Sequence, residues 1–455
     1  MKKNILSALF LFLNLLAPFG NLTLTSCSTT DPILEPELAL KLEDVSCTEA
    51  WLQLTTNNIQ LPATINLLKN NSVTQTFTLS TKDSLLYIDS LLPNQTYKLQ
   101  VSRIQNPVSS NELSVMTMDT TSHNFTWQIF EFGIQTNVSR LFDVAIISEN
   151  NIWAVGEIYM NDSLRQSIRY NAVHWNGNNW EFKRIYYYGA CSAVTYPPLT
   201  AIWAFDENNI VVTNGGSIGW FNGSTINLDC RVNPLLTGAI NKLWGSSSND
   251  FYAVGGAGNI AHHNGSSWAR IESGTSLFLA DIAVSNTNEL YFCGLNMATV
   301  DGIIIKSNNS ANFSTLVESD NIPPSQLFKP KLYGTISSIC FDQSNNLYAA
   351  GNIVYQYKLG RWDYLRSLPE NYIGGNPGTF YRGYVYKIRA TASNDIWIAG
   401  DRNTLKHFNG STWEQIGMPY DPQVDLVWRG METKDDITVV VGSHNSYAII
   451  MIIKK

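Results

Sequence analysis

Apolar and polar positions alternate in short runs along most of this chain, and the runs recur in a fixed order. A short apolar strand leads to a polar Asn/Asp turn, then to a strand of the form Trp/Tyr-Ala-Val-Gly, and often to a strand ending in Asn-Gly-x-x-Trp. One copy is complete: Ile240-Asn-Lys-Leu-Trp-Gly245, Asn249-Asp250, Phe251-Tyr-Ala-Val-Gly255, Ile260-Ala-His-His-Asn-Gly265 and Ser267-Trp268-Ala-Arg-Ile271. A second matches it: Tyr386-Lys-Ile-Arg389, Asn394-Asp395, Ile396-Trp-Ile-Ala-Gly400, Leu405-Lys-His-Phe-Asn-Gly410 and Thr412-Trp413-Glu-Gln-Ile416. Alternation with a period of two predicts strands, and no helical period competes with it.

The second strands begin at Ile152, Ile210, Phe251, Leu290, Leu347, Ile396 and Ile437, which makes seven copies. A unit of roughly 40–57 residues built from about four strands predicts propeller blades. The expected fold is therefore all-β, with a seven-bladed β-propeller over residues 124–455. The seventh copy, through Val427-Trp428, Ile437–Gly442 and Tyr447–Ile453, lacks the Asn-Gly-x-x-Trp strand. Residues 124–132, Asn124-Phe-Thr-Trp127-Gln-Ile-Phe-Glu-Phe132, have that character and are expected to supply it. Such a latch removes two sheet edges that would otherwise pair with other chains.

Met1-Lys2-Lys3, an apolar run from Ile5 to Leu16, and Leu24-Thr25-Ser26-Cys27 read as a signal peptide over residues 1–26, too short to span a membrane. Leu-Thr-Ser-Cys resembles the bacterial lipobox. That resemblance implies cleavage before Cys27, lipidation of its thiol and a tether over residues 27–36. Ser28, rather than Asp, after the cysteine implies outer-membrane sorting in a Gram-negative cell. Residues 37–120 alternate like strands but carry no copy of the repeat. There Leu91-Leu92-Pro93-Asn94-Gln95-Thr96-Tyr97, Trp51, and Ser114-Val-Met-Thr-Met-Asp-Thr120 resemble the fibronectin type III pattern. This implies an immunoglobulin-like β-sandwich in which Tyr97 closes a corner and Trp51 lies in the core.

Charged residues are only 15% of the chain, while 13 Trp, 21 Tyr and 19 Phe suit sheets buried on both faces. A net charge of −7 points away from nucleic acid as a partner. Membrane contact is expected only through the N-terminal lipid. Cys47, Cys293 and Cys340 fall inside strand patterns and read as small buried residues. Cys191 and Cys230 lie where adjacent blades hand over, and an oxidising exterior leaves a disulfide between them open.

Motifs that resemble chemistry dissolve on alignment. His174, His262 and His407 occupy one repeat column on separate blades, so they radiate rather than converge, and no metal site is expected. Asn-Gly at 176–177, 222–223, 264–265 and 409–410 marks hairpin turns. No Walker, Gly-x-Ser-x-Gly, His-Glu-x-x-His or Cys-x-x-Cys motif occurs, and no cofactor is expected. Bacterial lipoproteins that resemble this pattern are sometimes labelled glucosyl transferases, but those enzymes use α/β layers that this chain does not predict.

The turns between first and second strands are uniformly short. Insertions fall at 157–171, 186–198, about 315–335 and 366–385, all expected on one face of the disc. They carry Tyr159, Arg165, Arg169, Tyr186, Tyr187, Tyr188, Tyr372, Tyr381 and Arg382, rigid aromatics and planar donors of the kind binding loops use. These residues are the expected ligand site, for a glycan or a protein, in a non-catalytic cell-surface or periplasmic lipoprotein. The alternative is a glycan-active hydrolase or lyase, which needs paired carboxylates. Glu157, Asp162, Glu318, Asp320 and Glu370 offer no convincing pair.

Overall fold

The computed structural model describes residues 37–455, apart from 165, 188–194, 310–311, 321–330, 366–382, 420 and 422. Cys27 and the leader lie outside the described residues. The fold is all-β, with two short 3-10 turns among the described residues, at Cys230–Leu235 and Gly256–Gly258.

Residues 37–120 form two sheets over one core. Glu37–Val45, Ala50–Asn57 and Asp83–Ile88 make the first, and Ala63–Lys69, Ser72–Leu79, Thr96–Arg103 and Leu113–Met116 the second. Leu40, Leu52, Leu54, Ile65, Leu67, Leu99 and Val101 fill the space between them. The Tyr97 hydroxyl accepts the Leu92 backbone N–H at 2.8 Å and ties the corner. Trp51 departs from its expected place. Alternation turns Ala50, Leu52 and Leu54 into that core, so Trp51 faces the opposite way. It is buried against Tyr87 (centroids 4.5 Å apart) and Arg361 (4.8 Å), a residue of the repeat region. Lys358 pairs with Asp44 at the same junction, and the Asn394 amide donates to the Asp119 carbonyl at 2.9 Å.

Beyond residue 124, seven further sheets follow among the described residues. Sheets I to VII have as first strands Arg140–Ser148, Ala201–Asp206, Ile240–Ser247, Phe278–Val284, Ile336–Phe341, Val385–Ala392 and Leu426–Lys434. Each continues outward by antiparallel neighbours, and sheet IV adds a fifth, parallel strand, Lys331–Tyr333. Consecutive first strands touch one another, and that of sheet VII touches that of sheet I. In sheet VII the fourth strand is Thr126–Phe132, paired with Tyr447–Lys454 from Ala448↔Phe132 to Lys454↔Thr126.

The repeat's glycine has a steric cause. Gly255 and Gly400 lie at the bulges where first and second strands pack backbone to backbone. A Cβ there would come 1.8 Å from the Ala239 carbonyl oxygen and 2.0 Å from that of Tyr384. At the Asn-Gly turns only the glycine takes a positive φ, 90° at Gly265 and 96° at Gly410. The asparagine contributes its side chain instead: Asn264 Oδ1 accepts from the Ser266 and Ser267 N–H groups at 3.1 and 2.9 Å. The insertion at 157–171 is not a loose loop. It extends the second and third strands of sheet I as a hairpin, with Tyr159 opposite Arg169.

Candidate functional site

In every sheet one first-strand residue stands across from the position just before the repeat glycine, whose place Asn214 takes in sheet II. In sheets I to VI these are Asp143, Ala201, Lys242, Asp281, Ser338 and Lys387, paired with Val155, Thr213, Val254, Cys293, Ala350 and Ala399. In sheet VII the residue across from Val441 is Gly430, and Arg429 is the extra residue of the bulge beside it. Four members of the column, Asp143, Lys242, Asp281 and Lys387, are charged, although it lies on the innermost strands.

These side chains form a buried network. Lys242 Nζ lies 3.2 Å from Asp143 Oδ2, and both side chains are buried. Asp281, fully buried, receives Arg389 Nη1 at 3.2 Å and the Ser338 hydroxyl, with Lys387 Nζ at 3.9 Å. Arg389 also reaches Glu432 at 3.6 Å. Burial opposes ionisation of Asp281, yet the charges of Lys387, Arg389 and Lys242 outweigh it and hold its carboxyl well below the usual range. Burial pushes Lys387 below the ordinary lysine value, with Lys242 and Arg389 adding to the effect and Asp281 opposing it.

Above this network lies a cavity of about 430 Å³. Phe142, Asp143, Thr200, Asn241, Lys242, Phe278, Ser337, Tyr386, Lys387 and Arg429 bring it residues from all seven first strands or their immediate approaches, and Leu295 and Met297 close one side. Thr200 and Tyr384 end the connections into sheets II and VI, so the cavity lies on the face that carries the insertions. Phe278 (37% exposed) and Met297 (64%) present apolar surface there. Lys387 faces this cavity, while Arg389, two residues on, lines a second of about 520 Å³ with Asp342 and Glu432 at the short-turn end.

The residues expected from sequence to bind ligand are distributed differently. Tyr159, Arg169 and Tyr186 do come together on sheet I, but they mostly satisfy one another. Tyr159 Oη donates to Glu157 at 2.7 Å, Arg169 reaches Glu157 at 3.5 Å and the Tyr196 carbonyl at 3.1 Å, and Tyr186 packs edge-on to Tyr196. Tyr187 is a correction: it is fully buried in the core between sheets I and II, with Ile185, Leu199 and Val212. Arg165, Tyr188, Tyr372, Tyr381 and Arg382 lie outside the described residues, as does Glu370.

Cys230 is disulfide-bonded; Cys191, its expected partner, is outside the described residues. Cys47, Cys293 and Cys340 are free and buried. The histidine column is structural. His174, His262 and His407 each meet the residue that opens their own sheet's second strand, Asn151, Asp250 and Asp395, at 2.9–3.0 Å. Each also packs on an aromatic ring of that strand.

What the sequence reading missed was the first-strand column itself. Asp143, Lys242, Asp281 and Lys387 interrupt largely apolar strands, and aligning first strands as well as second strands would have singled them out.

No family model and no curated protein matches this sequence. Among solved structures the chain is similar to YCF48 bound to D1 peptide, with a TM-score of 0.51, 12% identity, and coverage of 74% of this chain and 97% of that one. It is also similar to the WD40 β-propeller domain of Doa1 (TM-score 0.46, 12% identity, 73% and 98% coverage). A third is the extracellular domain of a hybrid two-component system from B. thetaiotaomicron (TM-score 0.49, 11% identity, 72% and 39% coverage). At such identities the likeness speaks to fold alone. The protein is all-β and β-propeller-like.

Proposed function

We propose that this chain is a lipid-anchored cell-envelope protein whose seven-bladed propeller, carried on a fibronectin type III-like module, binds a polypeptide segment in its central cavity. Seven successive sheets, first strands that touch in order, and the pairing of Thr126–Phe132 with Tyr447–Lys454 support a ring latched by its two ends. The lipobox-like Leu24–Cys27 supports the anchor on Cys27, and a disulfide-bonded Cys230 suits an exterior compartment, outer-membrane in a Gram-negative cell.

The observation that carries the binding reading is the central cavity. Its volume of about 430 Å³ is in the range of ligand sites, and aromatic walls with a few placed charges are what such sites use. The similarity to a protein solved with a peptide bound is in keeping with a polypeptide rather than a glycan. The glycan-active alternative needs two carboxylates facing one space, and among the cavity's lining residues Asp143 is the one carboxylate.

An array of peptides and glycans, probed with Cys27→Ser protein, tests the reading. Peptides should be retained, and Tyr386→Ala should abolish retention without lowering the melting temperature. Retention of glycans alone would return the site to carbohydrate.

A further inference from the structure

The central cavity is chemically lopsided. Of the ionisable side chains that line it, Lys242, Lys387 and Arg429 are cations and only Asp143 is a carboxylate. Asp143 is taken: Lys242 bonds it, and its Oδ2 also accepts the Ile202 backbone N–H at 3.2 Å. Among the described residues Lys387 has only the longer 3.9 Å approach to Asp281, which Arg389 and Ser338 already engage. Arg429 lies toward the Tyr386 ring at 5.8 Å, and its buried Nε has no hydrogen-bond partner among the described residues. Asp401 and Asp425, the other acids near Arg429, do not line the cavity. In a chain of net charge −7, this is a local positive site.

We propose that the cavity takes one carboxylate of its ligand, seated between Lys387 and Arg429, with an apolar side chain of the same segment against Phe142, Phe278 and Met297. This deepens the polypeptide reading above and rests on it for the nature of the ligand. A guanidinium beside an ammonium matches a carboxylate, giving a planar fork and a point charge to two oxygens. The apolar wall decides what is attached to that carboxylate. Phe278 and Met297 would meet the body of a Phe, Leu or Met residue, whereas an acidic sugar would set hydroxyls against these apolar side chains. The burial that lowers the Lys387 pKa agrees with a cation whose counter-charge arrives with the ligand.

The carboxylate can come from a chain terminus or from an Asp or Glu side chain, and titration calorimetry separates the two. The probes are N-acetyl-Gly-Gly-Phe, its C-terminal amide, N-acetyl-Asp-Phe-amide and N-acetyl-Asn-Phe-amide, with propionate as the bare group. A loss of tenfold or more on amidation supports a terminal carboxylate, and the same loss from Asp to Asn supports a side chain. In either case Lys387→Met and Arg429→Met, at unchanged melting temperature, should each weaken the acidic probe and leave the neutral one unaffected. If either variant fails to fold, protection of Lys387 from acetylation by the acidic probe, and not by its neutral partner, gives the same reading. Equal binding of acidic and neutral peptides overturns the carboxylate while leaving the polypeptide reading intact. Protection of Lys387 by propionate with no peptide bound keeps the carboxylate and overturns the polypeptide. Binding of none of these probes overturns the proposal.

Discussion

Lys242 Nζ lies 3.2 Å from Asp143 Oδ2, a pair separated by 99 residues and closed by the first strands of sheets I and III. Sheet II lies between them in sequence and supplies Ala201, too small to intervene, at the same level. Removing one partner leaves the other charge buried. Asp143→Asn or Lys242→Met alone should therefore cost about 3–5 kcal/mol, whereas the two together should recover most of it. Urea unfolding of the two single variants and the double variant measures the coupling, and additive losses would show that the pair is not coupled.

The strand Thr126–Phe132 should act as a structural latch. It pairs residue by residue with Tyr447–Lys454, and its Phe130 and Phe132 pack on Trp175, Trp180 and Phe182 of sheet I. Protein begun at residue 134 exposes the apolar edge of Ala448–Ile453, a ready template for pairing with another chain. It should aggregate or melt well below the full-length protein in calorimetry and light scattering. An equal melting temperature would make the strand dispensable.

Tyr187→Ala should act on stability, by about 3–5 kcal/mol, and not through a ligand contact, because the ring is wholly enclosed between sheets I and II. Chemical denaturation measures this directly, and a loss below 1 kcal/mol would contradict the packing.

The sequence made the repeat legible because second strands are buried on both faces and end at a glycine that the first-strand backbone crowds. Both constraints act on single residues and leave single-letter signatures. The charges on the inner strands were illegible for a converse reason. Asp143, Lys242, Asp281 and Lys387 share one column, but first strands carry no invariant residue to align on. In sequence Tyr186, Tyr187 and Tyr188 read alike as ligand residues, although alternation along a strand turns some such residues inward; Tyr187 takes the core side. For Trp51 the signal was present, since a strict period of two from Leu52 and Leu54 turns it away from the sandwich core.

Trp51 should fix how the N-terminal sandwich sits on sheets V and VI. Its ring lies 4.8 Å from the Arg361 guanidinium, and Cys47 nearby is buried with its thiol donating to the Asp119 carbonyl at 3.1 Å. Burial, with Asp119 adding, pushes the Cys47 thiol up to about 11, so it should be inert to maleimide at pH 7. Trp51→Ala should loosen the junction and raise Cys47 labelling on the order of tenfold, while Cys293 and Cys340 stay protected. Mass spectrometry of labelled peptides reads all three thiols, and unchanged Cys47 labelling would mean that the remaining contacts hold the junction.

Asp229 supplies a pH-dependent contribution whose sign can be worked out. It precedes the turn Cys230–Leu235, receives Arg231 Nη2 at 2.7 Å and the Trp268 indole N–H at 2.8 Å, and is itself buried. Burial opposes its ionisation, but these hydrogen bonds outweigh it and hold the pKa at about 2. The unfolded value is about 3.9. A carboxyl with a depressed folded pKa binds fewer protons folded than unfolded, so its contribution is complete above about pH 4 and is lost as pH falls toward 2. Two pKa units would set a ceiling of about 2.7 kcal/mol, but the Arg231 side chain is 59% exposed. Solvent screening of that partner trims the expectation to roughly 1–2 kcal/mol. Asp229→Asn should therefore lower stability at pH 7 by that amount, with the gap to the parent protein closing between pH 4 and pH 2. Urea unfolding at pH 7, 4 and 2.5 checks it, and a gap that stays constant with pH would assign the loss to packing instead of charge.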